Sequence, residues 1–466
     1  MFEHSLTIPE ETLEDWLISV PTCAAVFALF GPDAQSEPYI SKTANLRRRL
    51  HRLLAPRFAG TKRLHLGGRV ERVAYSEVGS RFAISLLLLQ ATRKFCGDRA
   101  KERLRLRPPA LLRFASENAH PRVYVTNKVT QRALASTYGP FQSRTSAERF
   151  LDDSLNFFEL RRCSEDLNPD PAFPGCIYSE MKMCLAPCFR GCTEERYAEE
   201  ARRVREYLAS RGILTIAEFE REREAASTAL DFEKAARLHQ RVEKVKAVAQ
   251  QAAPLIHAIA NLHAIIVQPA SQQQAESMAA PLRTEKLTNR ALRSQGTHVA
   301  IFLVRGGRIF GPGFYSVVGM RHPNERAGST SLFAHPTLLE PVPLGGLQAS
   351  ASPLATAVGS AQTPRGQLEQ RLQSVLDELE VEARATKFSA EQLGAHLSLL
   401  ARWYYRPPAR RIGEIFFRTA EPSDIDAARP FPLSCVLRGI SRVFCGQKDP
   451  EQMAQDVPTS VESNTS

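Results

Sequence analysis

The chain has 466 residues, a length that predicts several folded modules, because single domains usually hold about 100–200 residues. Hydrophobic residues make up 43% and charged residues 24%, and no apolar run approaches the ~18 residues that span a bilayer, which excludes a membrane protein. The first twenty residues carry acids in place of the basic start of a secretory signal, so we expect a cytoplasmic protein.

Positive charge is concentrated near the N-terminus. The whole chain has 61 Lys and Arg against 50 Asp and Glu, a formal net charge of +11. Residues 39–114 alone hold 19 Lys and Arg but four acids, a local excess of +15. A basic surface of this kind favours a polyanionic partner.

Two short strands and a helix are predicted at the start of this basic region. Residues 23–30 and 38–42 flank a Gly-Pro-Asp turn signal, which predicts a hairpin. Asn45 is a suitable N-cap for the helix that follows. Leucines at helical spacing predict the buried face of this helix: Leu46, Leu50, Leu53 and Leu54.

Basic side chains occupy the other faces of this helix, at Arg47, Arg48 and Arg52. A second helix is predicted over residues 80–95, and Arg93 and Lys94 lie in its last turn, where cations suit the helix dipole. We expect both helices to present these five side chains to solvent, where each can neutralise a phosphate.

The segment VFALFGPDAQSEPYISKTANLRRRL, residues 26–50, resembles the opening of the GIY-YIG nuclease domain as found in UvrC, the excision-repair endonuclease subunit. Residues 80–94, 107–114, 120–125 and 138–163 resemble further UvrC segments in the same order. This collinearity is more specific than any single motif. The resemblance implies an α+β multidomain protein that binds DNA in nucleotide excision repair.

The resemblance also implies catalytic roles for three residues. In the family, a tyrosine assisted by a lysine activates water, an arginine stabilises the phosphate, and a glutamate binds a divalent cation. The first three roles correspond here to Tyr39, Lys42 and Arg49.

Three other positions depart from the family pattern. Phe27 replaces a tyrosine and lacks its hydroxyl, and Ser41 replaces a glycine. Gln90, in the run Leu-Leu-Leu-Gln-Ala, replaces the metal-binding glutamate, and a neutral amide is a poor ligand for Mg²⁺ or Mn²⁺. We therefore expect DNA binding with an impaired nuclease. The alternatives are an active endonuclease making a single incision, in which another acid holds the Mg or Mn, and a non-enzymatic helical adaptor.

Five of the nine cysteines lie within residues 163–192. Cys163, Cys176, Cys184 and Cys188 follow the spacing C-x12-C-x7-C-x3-C, and Cys192 follows as an additional candidate ligand. The spacing and the sequence CLAPC resemble the cysteine region of UvrC, which implies a [4Fe–4S] cluster on the four thiolates. Zinc is the alternative, since four cysteines also suit tetrahedral Zn²⁺.

Residues 193–251 are rich in Glu, Arg and Ala at helical spacing. Within them, ALDFEKAARLHQRVEKVKAV resembles the UVR motif, the helical hairpin through which UvrC pairs with UvrB. An apolar seam of a/d-like spacing can bury against another helix. The alternative is a self-contained hairpin with its phenylalanine packed inside. We expect these residues to contact a UvrB-like partner: Phe232, Ala235, Leu238 and Val242.

Strand patterns from residue 262 onward resemble the RNase H-like second half of UvrC, and the match partly returns at residues 396–417. The last twenty residues have almost no large apolar side chain, so we expect them to be disordered. The predicted regions are a GIY-YIG nuclease-like domain at 1–115, a Cys-rich linker at 116–192, the UVR hairpin at 193–251, a partial RNase H-like α/β region with low-complexity insertions at 252–446, and a tail at 447–466.

Overall fold

The computed structural model confirms the predicted α+β multidomain fold. It describes residues 2–9, 13–33, 35–55, 64–164, 167–271, 298–317, 320–321, 340–341, 364–418 and 431–446. The predicted disordered tail and most of the low-complexity insertions lie outside these residues. Within the described ranges, no helix is both long enough and apolar enough to cross a membrane.

The N-terminal module is a four-stranded antiparallel sheet in the order β1-β4-β2-β3. The predicted hairpin is confirmed as β2 and β3, and the predicted N-cap is confirmed, because the Asn45 side chain accepts a hydrogen bond from the Arg48 N–H, 2.9 Å away. The elements are β1 (His4–Thr7), α1 (Leu13–Ser19), β2 (Ala25–Phe30), β3 (Tyr39–Thr43), α2 (Leu46–Leu54), β4 (Arg72–Glu77), α3 (Arg81–Cys96) and α4 (Ala100–Leu104).

The predicted leucine face of α2 forms the core of this module. All four leucines are buried against one face of the sheet, where they pack with Phe27, Leu29 and Val73. Burying a leucine side chain contributes about 1.5–3 kcal/mol, so this face fixes α2 on the sheet.

The middle unit has a second antiparallel sheet, in the order β6-β5-β7-β8. Helices pack against it in one continuous core. The elements are β5 (Ala110–Phe114), β6 (Val123–Thr126), β7 (Thr137–Phe141), α5 (Arg144–Leu155), α6 (Ile177–Glu180), α7 (Glu194–Ser210), α8 (Ile213–Thr228), α9 (Phe232–Gln251) and β8 (His257–Ala258).

Strand pairing places two module boundaries differently from the sequence-based expectation. β5 was expected to close the first module at residue 115, but it pairs with β6 and β7 of the middle sheet. β8 lies beyond the expected boundary at residue 251, yet it pairs with β7. The helices of residues 193–251 are therefore enclosed within the middle unit, because the chain returns to the same sheet after them.

The C-terminal region contains a third antiparallel sheet, in the order β11-β10-β9-β14. Alternate residues of β10 point into two different cores, so both faces of this sheet are covered. Its likeness to RNase H stays a prediction. The elements are β9 (His263–Pro269), β10 (His298–Arg305), β11 (Arg308–Ser316), β12 (Met320–Arg321), β13 (Glu340–Pro341), α10 (Pro364–Ala385), α11 (Ala390–Tyr404), β14 (Glu414–Phe417) and α12 (Leu433–Phe444).

Helix α3 connects the N-terminal module to the C-terminal sheet. The Phe82 ring lies 5.1 Å from the Phe302 ring and 5.2 Å from the Trp403 ring, centroid to centroid. Leu86 and Leu89 are buried in the same core. The two regions therefore share apolar packing through one helix.

Candidate functional sites

Two of the three predicted catalytic residues meet in the structure. Because α2 is fixed on the sheet, Arg49 reaches back to β3, and its Nη2 donates a hydrogen bond to the Tyr39 hydroxyl at 3.0 Å. The Phe27 ring lies 6.3 Å from the Tyr39 ring. The Arg49 Nε is buried and has no hydrogen-bond partner in the described part of the chain. A guanidinium beside a phenol hydroxyl is an arrangement that can hold a phosphate oxygen.

Neither Lys42 nor Gln90 makes a hydrogen bond to this pair among the described residues. Lys42 is three residues beyond Tyr39 in the same strand, so its side chain lies on the opposite face of the sheet from Tyr39, where it is exposed. Ser41 pairs with Phe27 across the sheet. Gln90 is half-buried on α3 and makes no hydrogen bond to Tyr39 or Arg49 in the described residues. Only part of the predicted constellation is assembled.

Two side chains on β4 were missed by the sequence reasoning. Tyr75 lies opposite Phe27, and Glu77 lies opposite Ala25, so both share the sheet face that carries Tyr39. Glu77 is buried, and burial together with a hydrogen bond to Glu77 raises the pKa of Cys23 to about 12. No local signal in the sequence tells which strand would lie beside β2, so these neighbours could not have been found.

The five predicted DNA-binding side chains fall into two groups. Arg48, Arg52 and Lys94 are exposed, as expected. Arg47 is instead bound to the backbone, because its Nε donates to the Val20 carbonyl at 2.6 Å. Arg93 is half-buried at the junction with the C-terminal region, where it lines a cavity.

The charge of Arg93 also affects the pKa of a buried histidine, His396. Burial, and then the nearby Arg93 charge, lower the pKa of His396 to about 3. His396 accepts a hydrogen bond at Nδ1 from the Ile309 N–H, 3.0 Å away. Arg93 therefore lies between α3 and α11, near His396, and it lines a cavity beside α11.

Four of the five clustered thiols lie in one neighbourhood. Burial and, to a smaller extent, the charges of Cys163, Cys188 and Cys176 together raise the pKa of Cys184 to about 11. Cys192 interacts with Cys188 but packs against the core of the middle unit. The structure therefore separates the predicted four from the additional candidate.

Nitrogen donors surround these sulfur atoms. The Ala186 N–H donates to the Cys184 Sγ at 3.3 Å, and the Arg161 Nη1 lies 3.6 Å from the Cys163 Sγ. Such donors stabilise thiolates and tune metal–sulfur sites. As the side chains are placed, no group of three or more His, Cys, Asp or Glu among the described residues has metal-ligating geometry.

The predicted helical hairpin is formed by α8 and α9, and its seam is filled from within the chain. Val242 and Val245 are fully buried in the core of the middle unit, and Leu238 is 9% exposed. This packing corrects the expectation that Leu238 and Val242 face a partner. Ala235 is half-buried.

The turn of the hairpin carries the exposed apolar side chains. Phe232 is 66% exposed, so the alternative in which it packs inside the hairpin is wrong. The neighbouring Leu230 is 71% exposed and has a positive φ of 59°, which fixes the turn before α9. Asp231 caps α9 by accepting a hydrogen bond from the Lys234 N–H at 3.0 Å. The sequence reasoning identified Phe232 but missed Leu230.

Comparison with protein families matches two segments of the middle unit. Residues 111–207 match the model of the UvrC/Cho excinuclease middle domain, and residues 215–248 match the UvrB/uvrC motif. The first range begins in β5 and ends in α7, and the second covers most of α8 and α9. These limits agree with the strand pairing, which assigns β5 to the middle unit.

Curated relatives carry the name UvrABC system protein C. The one from Alcanivorax borkumensis is 27% identical over 223 residues, which are 46% of this chain and 35% of the relative. The one from Rickettsia bellii is 26% identical over 240 residues, 51% of this chain and 37% of the relative. The one from Nitratidesulfovibrio vulgaris is 34% identical over 150 residues, 31% of this chain and 21% of the relative. The chain thus spans about a third or less of the length of these relatives, and no solved structure matches it.

The middle sheet and the helical hairpin enclosed in its core are similar to parts of an excinuclease subunit. More particularly, the similarity is to UvrC: residues 111–207 match the model of the UvrC/Cho middle domain, and residues 215–248 match the UvrB/uvrC motif.

Proposed function

We propose that this UvrC-like chain acts in nucleotide excision repair by binding DNA and a UvrB-like partner, with an impaired nuclease site. The main support is the packing of the UVR hairpin into the core of the UvrC-type middle domain. A hairpin held in this way presents its turn in a fixed orientation, which lowers the entropy lost on binding.

The partner site is assigned to the hairpin turn. Leu230 and Phe232 are large, apolar and exposed side by side, and such residues act as anchors in helix-type interfaces. The buried seam behind them supplies rigidity. The corresponding test is capture of the full chain by the C-terminal helical segment of a UvrB-type protein, compared between wild type and a turn variant.

The DNA site is assigned first to the exposed cations of α2, Arg48 and Arg52, together with Lys94. Each neutralised phosphate releases counterions and steepens the salt dependence of binding. Binding of a labelled duplex that weakens steeply with salt supports this assignment. A salt-insensitive or absent interaction would favour the adaptor without DNA.

Impairment of the nuclease rests on three features of the N-terminal site. Phe27 has no hydroxyl, and Gln90 has no charge. The Lys42 side chain lies on the face of the sheet opposite to that of Tyr39. A divalent cation would lack the anionic ligand that the family pattern provides. The Tyr39–Arg49 contact that remains can hold a phosphate without supplying the metal chemistry.

A second candidate function is an active endonuclease. One observation favours it: Glu77 places a carboxylate, and Tyr75 a hydroxyl, on the same sheet face as Tyr39. In this alternative, Glu77 holds Mg²⁺ or Mn²⁺ in place of the residue at Gln90. Metal-dependent nicking by wild-type protein that is lost on Glu77→Gln would establish it.

We propose a structural metal at Cys163, Cys176, Cys184 and Cys188, a [4Fe–4S] cluster or alternatively Zn²⁺. The donor chemistry fits, because both groups take thiolate ligands and the four thiols interact electrostatically, but the side chains as placed in the described residues do not form a ligand set. When bound, the metal would hold together a loop region that has few buried apolar residues. Elemental analysis of anaerobically prepared protein should find iron or zinc, and Cys184→Ser should remove it, whereas the control Cys192→Ser should retain it.

A further inference from the structure

A long groove runs between the N-terminal module, the middle sheet and α11. The groove consists of two adjoining cavities, of about 570 Å³ and about 640 Å³. Residues 108–109, Asn127 and Ser398 line both cavities. Helix α11 forms one wall from Ala390 to Tyr405. At 1.5 Å per helical residue this wall is about 22 Å long.

The α11 wall is smooth because its groove-facing residues are small. Ala390, Gly394, Ala395, Ser398 and Ala401 follow one another along the helix at spacings that keep them on one side. Small side chains leave space beside the helix that a bulky ligand can occupy. An extended ligand fits this shape better than a compact one.

Cations from three separate parts of the chain line the groove. Arg105 and Arg107 lie after α4, Lys128 follows β6, and Arg402 is on α11. All four are exposed, and none has an acidic partner in the parts of the chain that the structure describes. Arg144 also lines the groove but is paired with Glu148 at 2.7 Å.

Carboxylates are scarce at the same surface. Glu391, at the start of α11, is the acidic residue among the described residues that line the two cavities. Desolvation, and then the charge of the neighbouring Arg406, lower the pKa of Arg402. An anionic ligand would relieve the repulsion between these two charges.

We propose that this groove binds the phosphodiester backbone of a nucleic acid strand, as a second contact surface besides α2. Each strand of duplex DNA carries one phosphate per about 3.4 Å of helix axis, so a strand lying along a groove of about 22 Å would present several phosphates to it. The four unpaired cations suit such a repeating anion better than a single phosphate group. This inference rests on the proposed DNA-binding function and adds a site to it.

The test compares two triple variants of the full chain in binding to a labelled duplex oligonucleotide. The groove variant is Arg105→Gln, Arg107→Gln and Arg402→Gln. The control removes the same charge from exposed arginines outside the groove, Arg132→Gln, Arg221→Gln and Arg237→Gln.

Loss of three phosphate contacts should make the slope of log affinity against log salt shallower by about 2–3 in the groove variant. The control should change the slope by less than about 1. Equal changes in the two variants would overturn the groove assignment, because net charge alone would then explain them. If the groove variant is unchanged while Arg48→Gln with Arg52→Gln loses binding, the groove assignment fails and the DNA-binding function stands.

Two substitutions at one position of the groove wall distinguish an effect of charge on DNA binding from an effect of side-chain size. Ala401→Glu and Ala401→Gln add side chains of nearly equal size to α11, and both residues are good helix formers. The glutamate should weaken DNA binding about tenfold or more at low salt, and the glutamine by less than about threefold. Equal weakening by both would contradict a phosphate site.

Inorganic tripolyphosphate distinguishes the source of the phosphate. A groove for a nucleic acid backbone should let the duplex bind far more tightly than tripolyphosphate. If tripolyphosphate binds tightly and only its affinity falls in the groove variant, the ligand is a free polyphosphate and the backbone assignment is wrong. A wild-type protein that binds no DNA would overturn both the groove and the proposed function.

Discussion

The N-terminal module and the middle unit agree with the UvrC pattern to different degrees. In the N-terminal module α2 brings Arg49 to Tyr39, but residues 27 and 90 are Phe and Gln, where the resemblance to the GIY-YIG domain predicts a tyrosine and a glutamate. In the middle unit, sheet, helices and hairpin turn are all present and match family models. A fold depends on many buried contacts, whereas catalysis depends on a few groups, so a site can lose its chemistry while its scaffold remains.

Restoring the missing groups of the N-terminal site is the strongest way to test this contrast. Gln90→Glu with Phe27→Tyr adds a metal-binding carboxylate and a hydroxyl to an assembled scaffold. Losing one charge-stabilising group typically costs about 10²–10³ in rate, so nicking with Mg²⁺ or Mn²⁺ should rise by about that factor. The measurement is the conversion of supercoiled to nicked plasmid.

Arg49→Ala is the control for the restored enzyme. Added to the double variant, it should abolish the gain, since Arg49 is the cation beside the Tyr39 hydroxyl. A gain that survives this change would mean that the cleavage arises elsewhere. No gain in a protein that still folds would mean that the scaffold, and not only its chemistry, is altered.

The buried seam and the exposed turn of the hairpin should respond differently to the same substitution. Val242 is fully buried, so Val242→Asp should destabilise the protein by at least about 3 kcal/mol, because the new charge has no partner. Phe232 is exposed, and Phe232→Asp should change the free energy of unfolding by about 0.5 kcal/mol or less. Chemical denaturation measures both values, and similar losses would show that Phe232 is packed.

A smaller effect is expected for partner binding by the turn. Phe232→Ala with Leu230→Asn removes both apolar anchors, and asparagine tolerates the positive φ at residue 230. Binding to a UvrB-type tail should weaken about tenfold or more, since an anchor residue contributes about 1–2 kcal/mol. DNA binding should not change. Unaltered partner affinity, measured by isothermal calorimetry, would reject the turn as the docking site.

Local signals in the sequence predicted the elements near these sites well. Asn45 as N-cap, the leucine face of α2 and the start of α3 after Ser80 were all confirmed, because caps and helical spacing act within a few residues. The resemblance of the cysteine region to that of UvrC also grouped the four cysteines whose charges interact.

Long-range pairing could not be predicted in the same way. The sequence gives no indication that β5 joins the middle sheet, that Tyr75 lies opposite Phe27, or that Arg93 lies near His396. Each depends on which distant segment lies alongside, and amphipathic spacing shows only that a face is buried, not by what. The sequence likewise shows that one face of α9 is apolar, but not that α9 packs against α8.

The most direct measurement is a nicking assay on wild-type protein, with DNA binding recorded on the same preparation and the same nicked or lesion-bearing duplex. We predict steeply salt-dependent binding and little or no cleavage with Mg²⁺ or Mn²⁺. Strong metal-dependent cleavage by the wild type, lost on Tyr39→Phe or Arg49→Ala, would contradict the impaired site and show that another residue, such as Glu77, holds the ion.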